Sequence, residues 1–286
     1  MQIQWYPGHM TKAVREIQNN LKVIDLFVEI VDARIPSSST NPDLNRILKE
    51  KKKVVVMNKA DLADPRATAA WQKWYESRGI PSIAITAVKA DDIKRLKALL
   101  LAGAEEKFER DRKRGLKPRP FRAVVSGIPN VGKSTVINSL KGKAAAKTGN
   151  KPGVTKGEQW IRIGKEFDLL DTPGILWPKF EDRRTGVLLS LFGSVKDEIV
   201  DMNELAAEAC SEIIHAYPGL LAEKYGLDES LSGTDMISQF AEMRNYLKKG
   251  GVPDYDRAAL TFVNEVRAGK TGRITLELPE LSKNAD

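Results

Sequence analysis

The chain has 286 residues, a formal net charge of +8, and an ordinary globular balance of 42% hydrophobic and 29% charged residues. No stretch approaches the roughly 20 consecutive apolar residues of a membrane span. The N-terminus lacks the pattern of a secretory signal, and the lone Cys210 excludes an internal disulfide and a cysteine-based zinc site. We therefore expect a cytoplasmic protein without membrane contact.

The sequence predicts strands that alternate with helices in the first part of the chain. Strands are expected at 24–31, 53–57, 82–86, 121–126, 160–163 and 167–170, and helices at 67–78 and 91–102. This alternation predicts an α/β fold with a mostly parallel, doubly wound sheet.

Beyond about residue 178 the apolar residues recur at helical spacing. Three stripes are visible, formed by Leu205, Ala209 and Ile213, by Met236, Phe240, Met243 and Leu247, and by Phe262, Val263 and Val266. We predict an α/β domain over 1–177 and a small all-helical domain over 178–286, which we expect to contact RNA or the ribosome. The segment 107–122, with eight basic residues and two prolines, is interpreted as an exposed linker between sheet segments.

Charge is distributed unevenly between these two parts. Residues 1–174 carry a net charge of +14, whereas residues 175–286 carry −6. A surface that binds a polyanion is therefore expected mainly on the first part, although a solubilising surface explains the composition equally well.

The most specific motif is Gly127-Ile-Pro-Asn-Val-Gly-Lys-Ser134, between a predicted strand and a predicted helix that starts at Thr135. This is the context of a phosphate-binding loop, in which backbone N–H groups and the helix N-terminus favour an anion. Lys133 is expected to neutralise phosphate oxygens, and Ser134 to bind Mg²⁺. Other loop residues expected to contact the nucleotide are Asn130, Val131, Gly132 and Thr135.

Two further segments fit the γ-phosphate side of such a site. Asp171-Thr-Pro-Gly174 follows a predicted strand, so Asp171 can hold Mg²⁺ through water and the Gly174 N–H can meet the γ-phosphate. Thr155 offers a hydroxyl that can close on Mg²⁺ when a γ-phosphate is present. Taken alone, the first segment would be an ordinary turn and the second an ordinary flexible loop.

Asn58-Lys-Ala-Asp61, at the end of the strand 53–57, resembles the guanine-specificity motif of GTPases. Asp61 can accept hydrogen bonds from the ring N–H and the exocyclic amine of guanine, a donor pair that adenine lacks. Asn58 supports the other edge of the base, and the Lys59 stem covers it. Thr86-Ala87 resembles the companion loop. Both motifs end strands, where ligands bind in such sheets. The expected base-contacting set is Asn58, Lys59, Ala60, Asp61, Thr86 and Ala87.

The order of these motifs is permuted. In the usual GTPase the phosphate loop comes first, whereas here the base-reading motifs precede it and Asp171 follows it. Joining the old termini, across 107–122, and reopening the chain elsewhere would build the same sheet. The segment after Gly174 then leads directly into the helical domain, which could sense the bound nucleotide.

The sequence resembles the ribosome-biogenesis GTPase A family of bacterial circularly permuted GTPases, the YlqF type, over essentially its whole length. The resemblance rests on Trp5-Tyr-Pro-Gly-His9-Met10, on Asp32-Ala-Arg-Ile-Pro36, on the permuted motifs and on the helical C-terminal part. It implies GTP hydrolysis stimulated by the large ribosomal subunit, binding to its precursor and to rRNA, and a role in late subunit assembly. We also expect a monomer.

The resemblance also suggests how water is activated. Many GTPases place a Gln directly after Asp-x-x-Gly, but Ile175 occupies that position here and cannot orient water. The family implies His9 as the water-orienting group; the other possibility is a structural or RNA-contacting histidine. The other histidine, His215, is expected to be structural. Asn130 resembles the K⁺-binding Asn of K⁺-activated GTPases, or else only stabilises the turn.

Alternative functions stay open on the sequence alone. The protein could be an RNA-binding assembly scaffold with incidental hydrolysis. In that case a variant that binds GTP but cannot hydrolyse it would not stay trapped on particles. A GTPase of tRNA modification would need a second catalytic constellation, and no clustered Cys or His is present. A stress sensor is a further possibility. Trp5 and Tyr6 could stack on a base or pack on the domain. A solvated face explains most of the C-terminal cations, although they could also touch RNA; they are Lys248, Lys249, Arg257, Arg267, Lys270 and Arg273.

Overall fold

A computed structural model of the chain describes residues 8–116, 119–142, 159–177, 180 and 182–279. Within them one six-stranded sheet is found, with the strand order β3-β2-β1-β4-β6-β5. The strands are β1 (Leu26–Asp32), β2 (Lys52–Asn58), β3 (Ser82–Ala84), β4 (Phe121–Ser126), β5 (Gln159–Ile163) and β6 (Phe167–Asp171). Only β5 is antiparallel to its neighbour among these described strands.

The helices of the first part cover both faces of this sheet. They are α1 (Gly8–Asn20), α2 (Pro42–Ile47), α3 (Pro65–Ser77), α4 (Ala90–Lys113) and α5 (Lys133–Lys141). Alternate residues of β2 point to opposite faces of the sheet. Val54 and Val56 join the main core on one face, while Val55 and Met57 pack with Trp71 of α3 on the other. The predicted doubly wound α/β architecture is confirmed.

The sheet fixes where a ligand can bind. From β1 the chain proceeds outward to β2 and β3, and then returns to place β4 on the other side of β1. The strand order therefore reverses between β1 and β4, and open parallel sheets bind ligands outside the carboxyl ends of the strands at such a point. Asn58 pairs in register with Asp32, and Asp171 with Val125, so the polar ends of β1, β2, β4 and β6 share this edge.

The second part of the chain is helical. Its helices are α6 (Arg183–Leu191), α7 (Met202–Ala216), α8 (Leu220–Tyr225), α9 (Gly233–Met243) and α10 (Tyr255–Arg267), with a 3-10 turn at Asp197–Ile199. Tyr225, Phe240 and Phe262 form an aromatic cluster between α8, α9 and α10, in which Phe240 meets the other two rings edge to face. Beyond α10, residues 273–277 return to the first part, with Ile274 and Leu276 buried. Among the described helices, none combines the length with the hydrophobicity that a membrane span requires.

Three predictions differ from the structure. The interpretation of 107–122 as an exposed linker is wrong for 107–113, because α4 continues to Lys113 and buries Leu96, Leu100, Ala104 and Lys107 along one face. The stripe predicted from Met236 to Leu247 is buried only at Met236 and Phe240, because α9 ends at Met243 and leaves Met243 and Leu247 exposed. Strand β3 is shorter than predicted and ends at Ala84.

Candidate nucleotide-binding site

The segment Gly127–Ser134 joins β4 to α5 by a tight turn. Asn130 and Gly132 have left-handed backbone conformations, with φ of 60° and 91°, and α5 begins directly afterwards at Lys133. A side chain at Gly132 would collide with the Asn58 amide nitrogen, so the close approach of the two loops requires glycine there. The strand, turn and helix predicted for a phosphate-binding loop are thus present.

Lys133 and Asp171 form a buried ion pair at the centre of the site. Their side chains are 5% and 2% exposed, and the ammonium contacts the Asp171 carboxylate. Burial lowers the pKa of Lys133, and the charge of Asp171 opposes this shift. The pair brings the start of α5 to the end of β6, so the residue expected to neutralise phosphate lies beside the residue expected to hold Mg²⁺.

The donor chemistry at this point fits Mg²⁺. The Asp171 carboxylate and the Ser134 hydroxyl supply oxygen ligands, which Mg²⁺ prefers, and Mg²⁺ usually takes only one or two carboxylates beside substrate phosphates. In the described part of the chain, no group of three or more His, Cys, Asp or Glu residues could hold a metal ion by itself. The site therefore fits a metal that is bound together with a phosphorylated substrate.

Asn58 connects the two candidate halves of the site. Its side-chain amide donates to the carbonyl oxygen of Val131 at 2.9 Å, and its Oδ1 accepts from the Ala87 N–H at 3.1 Å. One side chain thereby holds together the phosphate loop, the end of β2 and the loop after β3. Val131 and Ala87 lie 73 and 29 residues from Asn58 in sequence.

The rest of the base-reading motif lies beside Asn58. Asp61 is exposed, and its carboxylate accepts a hydrogen bond from the Thr86 hydroxyl at 3.2 Å. Lys59 is left-handed, with φ of 60°, and its ammonium lies 3.0 Å from the Asp32 carboxylate. Burial lowers the pKa of Lys59, although the Asp32 charge acts in the opposite direction.

The sequence analysis did not assign a role to Asp32 and Arg34, which form a buried network next to Lys59. Arg34 is 2% exposed and donates from Nε and Nη2 to the Asp32 carboxylate at 2.9 and 2.8 Å. Burial alone would raise the pKa of Asp32, but the charges of Arg34 and Lys59 hold it well below its usual range. The only sequence signal was the Asp-Ala-Arg motif after a strand.

The segment after Asp171 packs against the phosphate loop. The Ile175 N–H donates to the Gly127 carbonyl at 3.2 Å, and a Cβ on Gly174 would lie 2.8 Å from the Pro129 backbone. Ile175, Leu176 and Trp177 are all buried. Ile175 is therefore a core residue, in accord with the prediction that it cannot orient water.

The helical part also contacts the phosphate loop. The Asn130 amide donates to the Gly193 carbonyl at 2.6 Å, and the Ser194 hydroxyl donates to the Pro129 carbonyl at 2.9 Å. Arg34 donates to the Arg267 carbonyl at 2.9 Å. The turn after α6 and the end of α10 thus lie against both the phosphate loop and the Asp32–Arg34 network.

Some predicted residues cannot be placed in this site. Thr155, Trp5 and Tyr6 lie outside the described residues, and so does the side chain of His9. The backbone of His9 belongs to α1. His215 is an exposed residue of α7.

The fold and site define a P-loop GTPase whose motifs run in circularly permuted order, and comparisons agree. A family model described as "50S ribosome-binding GTPase" matches residues 122–247. The Ribosome biogenesis GTPase A of Bacillus pumilus is 43% identical over 98% of this chain and 100% of its own length, and that of Bacillus cereus is 44% identical over 98% and 95%.

A solved structure leads to the same family. The GNP-bound YlqF of T. maritima superposes with a TM-score of 0.67 at 30% identity, covering 94% of this chain and 99% of its own. This chain therefore belongs to the ribosome biogenesis GTPase A family, and it is a GTP hydrolase. The sequence-based assignment to that family is confirmed.

Proposed function

We propose that this GTPase acts in the cytoplasm, as a monomer, in late assembly of the large ribosomal subunit. In the GTP form it binds a subunit precursor and contacts rRNA, and hydrolysis releases it. The names of the relatives and the description of the matching family model support a ribosomal partner. The net charge of +14 on residues 1–174 supports contact with RNA.

The observation that carries this proposal is the pair of hydrogen bonds between the phosphate loop and the turn after α6. Asn130 donates to Gly193, and Ser194 donates to Pro129. A rearrangement of the loop with the nucleotide state would alter these bonds, and through them the position of the helical part. A ribosome-binding surface on that part would therefore depend on GTP.

We assign the nucleotide contacts as follows. Asp61 accepts the guanine N–H groups, Asn58 and the 86–87 loop hold the base, and Lys133 neutralises β- and γ-phosphate oxygens. The Gly174 N–H meets the γ-phosphate. The residues that would hold Mg²⁺ are Ser134, Thr155 and, through water, Asp171; bound there, the ion stabilises the charge that develops on the phosphates.

We assign orientation of the attacking water to His9, and stabilisation of the developing charge to a K⁺ ion. Ile175 is buried and apolar, so the residue after Gly174 cannot hold water. His9 at the start of α1 would orient the water when the ribosomal particle is bound. K⁺ held by Asn130 would act like an arginine finger beside the phosphates.

The test is GTP turnover in K⁺ buffer with and without large ribosomal subunits. We expect strong stimulation by the subunits. A variant that binds GTP but does not hydrolyse it should stay trapped on precursor particles. Release of that variant at the wild-type rate would favour the scaffold function with incidental hydrolysis, and the absence of stimulation would contradict the ribosome as activator.

A further inference from the structure

The segment that follows α10 returns to the base-reading loop and holds its backbone. Arg273 donates from Nε to the Ala63 carbonyl and from Nη2 to the Ala60 carbonyl, both at 2.9 Å. The Ile274 N–H donates to the Leu62 carbonyl at 3.1 Å. The backbone on both sides of Asp61 is therefore fixed by residues more than two hundred positions away.

The returning segment is itself firmly anchored. The Leu276 N–H donates to the Arg34 carbonyl at 2.8 Å, and the Glu277 carboxylate accepts from the N–H groups of Ser37 and Ser38. The Trp71 indole donates to the Glu277 carbonyl at 2.9 Å. Because these bonds tie the segment to the sheet, it can act as a fixed frame for a neighbouring loop.

Burial of apolar residues does not explain the two hydrogen bonds of Arg273. Ile274 and Leu276 are buried and would cover the sheet edge without it, whereas Arg273 is an exposed residue. Its two nitrogen donors nevertheless converge on carbonyls three residues apart in a single loop. An exposed arginine that donates twice to one loop constrains the shape of that loop rather than the burial of the core.

We propose that Arg273 is a positioning residue for base selectivity, which holds the Ala60–Ala63 backbone so that the Asp61 carboxylate faces both N–H donors of guanine. The inference rests on the assignment of Asp61 to the base under the proposed function. It makes the C-terminal segment, and not only the motif itself, a determinant of nucleotide affinity. Loss of the hydrogen bonds from Arg273 should weaken most the contact between the Asp61 carboxylate and the exocyclic amine of guanine.

The experiment compares release of GDP and of IDP, whose base lacks the exocyclic amine, from the full-length chain. We expect Arg273→Ala to accelerate GDP release about tenfold, as for the loss of two hydrogen bonds, and IDP release much less. Arg273→Lys, which keeps one donor group, should recover part of the difference. Arg257→Ala, in which a guanidinium over the Tyr246 ring is removed from α10, is the matched control and should change neither rate.

Two other results would overturn the proposal. Equal acceleration of GDP and IDP release by Arg273→Ala would indicate general loosening of the fold. Unchanged rates would show that the hydrogen bonds of Arg273 do not affect nucleotide binding. Asp61→Asn tests the underlying assignment separately. It should shift preference from GDP to xanthosine diphosphate (XDP), whose base has a carbonyl in place of the exocyclic amine. If Asp61→Asn causes no such shift, the assignment of the base site fails, and the role of Arg273 fails with it.

Discussion

The side-chain amide of Asn130 donates to the carbonyl oxygen of Gly193 at 2.6 Å, which ties the phosphate loop to the turn that follows α6. Asn130 has a left-handed backbone with φ of 60°. One amide group can serve two partners, since its nitrogen donates to Gly193 while its oxygen is chemically suited to a monovalent cation. Domain contact and cation binding would then depend on the same residue.

The first prediction concerns K⁺. Replacing K⁺ by Na⁺ should lower GTP turnover, and Asn130→Gly should remove this dependence because glycine keeps the backbone conformation but offers no ligand. We expect turnover of the variant in K⁺ to fall at least about tenfold, as when a group that stabilises the transition state is lost. The measurement is steady-state phosphate release in matched K⁺ and Na⁺ buffers.

A variant at Ser194 distinguishes the effect of the cation from the effect of the contact between the phosphate loop and the helical part. Ser194→Ala removes the hydrogen bond to the Pro129 carbonyl without changing any expected cation ligand. This variant should retain the wild-type ratio of rates in K⁺ and Na⁺. Equal wild-type rates in the two salts would remove the cation from the mechanism.

The second prediction concerns the close approach of Gly132 to Asn58. In Gly132→Ala the new Cβ would collide with the Asn58 amide and break its bond to the Val131 carbonyl. Gly142→Ala is a matched control, because Gly142 is also left-handed, at φ of 72°, but has open space around it. Each variant should lose about 1 kcal/mol of unfolding free energy to backbone strain.

Only Gly132→Ala should also lose nucleotide binding, because the phosphate loop and the base loop can no longer meet. Titration with a fluorescent GDP analogue measures this effect, and thermal unfolding measures the strain. If both alanine variants bound GDP alike, the bridge formed by Asn58 would not matter for the site.

Much of this site was predictable because its signals are local. A strand, two glycines and a helix within a few residues identify the phosphate loop. The apolar residues of β2 place Asn58 at the end of a strand. The permuted order also follows from sequence alone. Each of these features depends on neighbours in the chain, so no knowledge of the packing is needed.

The remaining features depend on contacts between distant segments. Arg34 reads as a surface arginine after a strand, but Asp32 and the Arg267 carbonyl hold it inside the protein. Arg273 looks like one cation among several near the C-terminus. Lys107 belongs to a charged run that suggests a linker, yet it lies on the buried face of a long helix. Composition cannot identify partners that the fold brings from elsewhere in the chain.

The third prediction concerns Asp32. Asp32→Asn leaves Arg34 and Lys59 without their shared anion, and should cost about 3 kcal/mol of unfolding free energy at neutral pH. The pKa of Asp32 is lowered in the fold from 3.8, so the folded state binds fewer protons than the unfolded state in acid. The ionised carboxylate therefore stabilises the fold above about pH 4, and this contribution is lost as the pH falls further.

Urea unfolding at pH 7 and at a series of lower pH values measures this dependence. The difference between wild type and Asp32→Asn should be largest at pH 7 and should narrow below about pH 4. Asp43→Asn breaks an exposed pair with Arg46 and should have a small effect throughout. A difference that does not change with pH would mean that the charge of Asp32 is not what stabilises the network.

The last prediction concerns His9. His9→Ala should keep GTP affinity, because the nucleotide contacts are assigned to other residues, but should lower ribosome-stimulated turnover about 100-fold or more. His215→Ala is the natural control, since His215 is the only other histidine and lies exposed on α7. Turnover with and without large ribosomal subunits, together with binding of a fluorescent GTP analogue, distinguishes catalysis from affinity. Because Ile175 is apolar and buried in the core, the residue after Gly174 cannot orient the water, and another group has to do so. Stimulated turnover that survives in His9→Ala would therefore overturn the assignment of His9 as the water-orienting group.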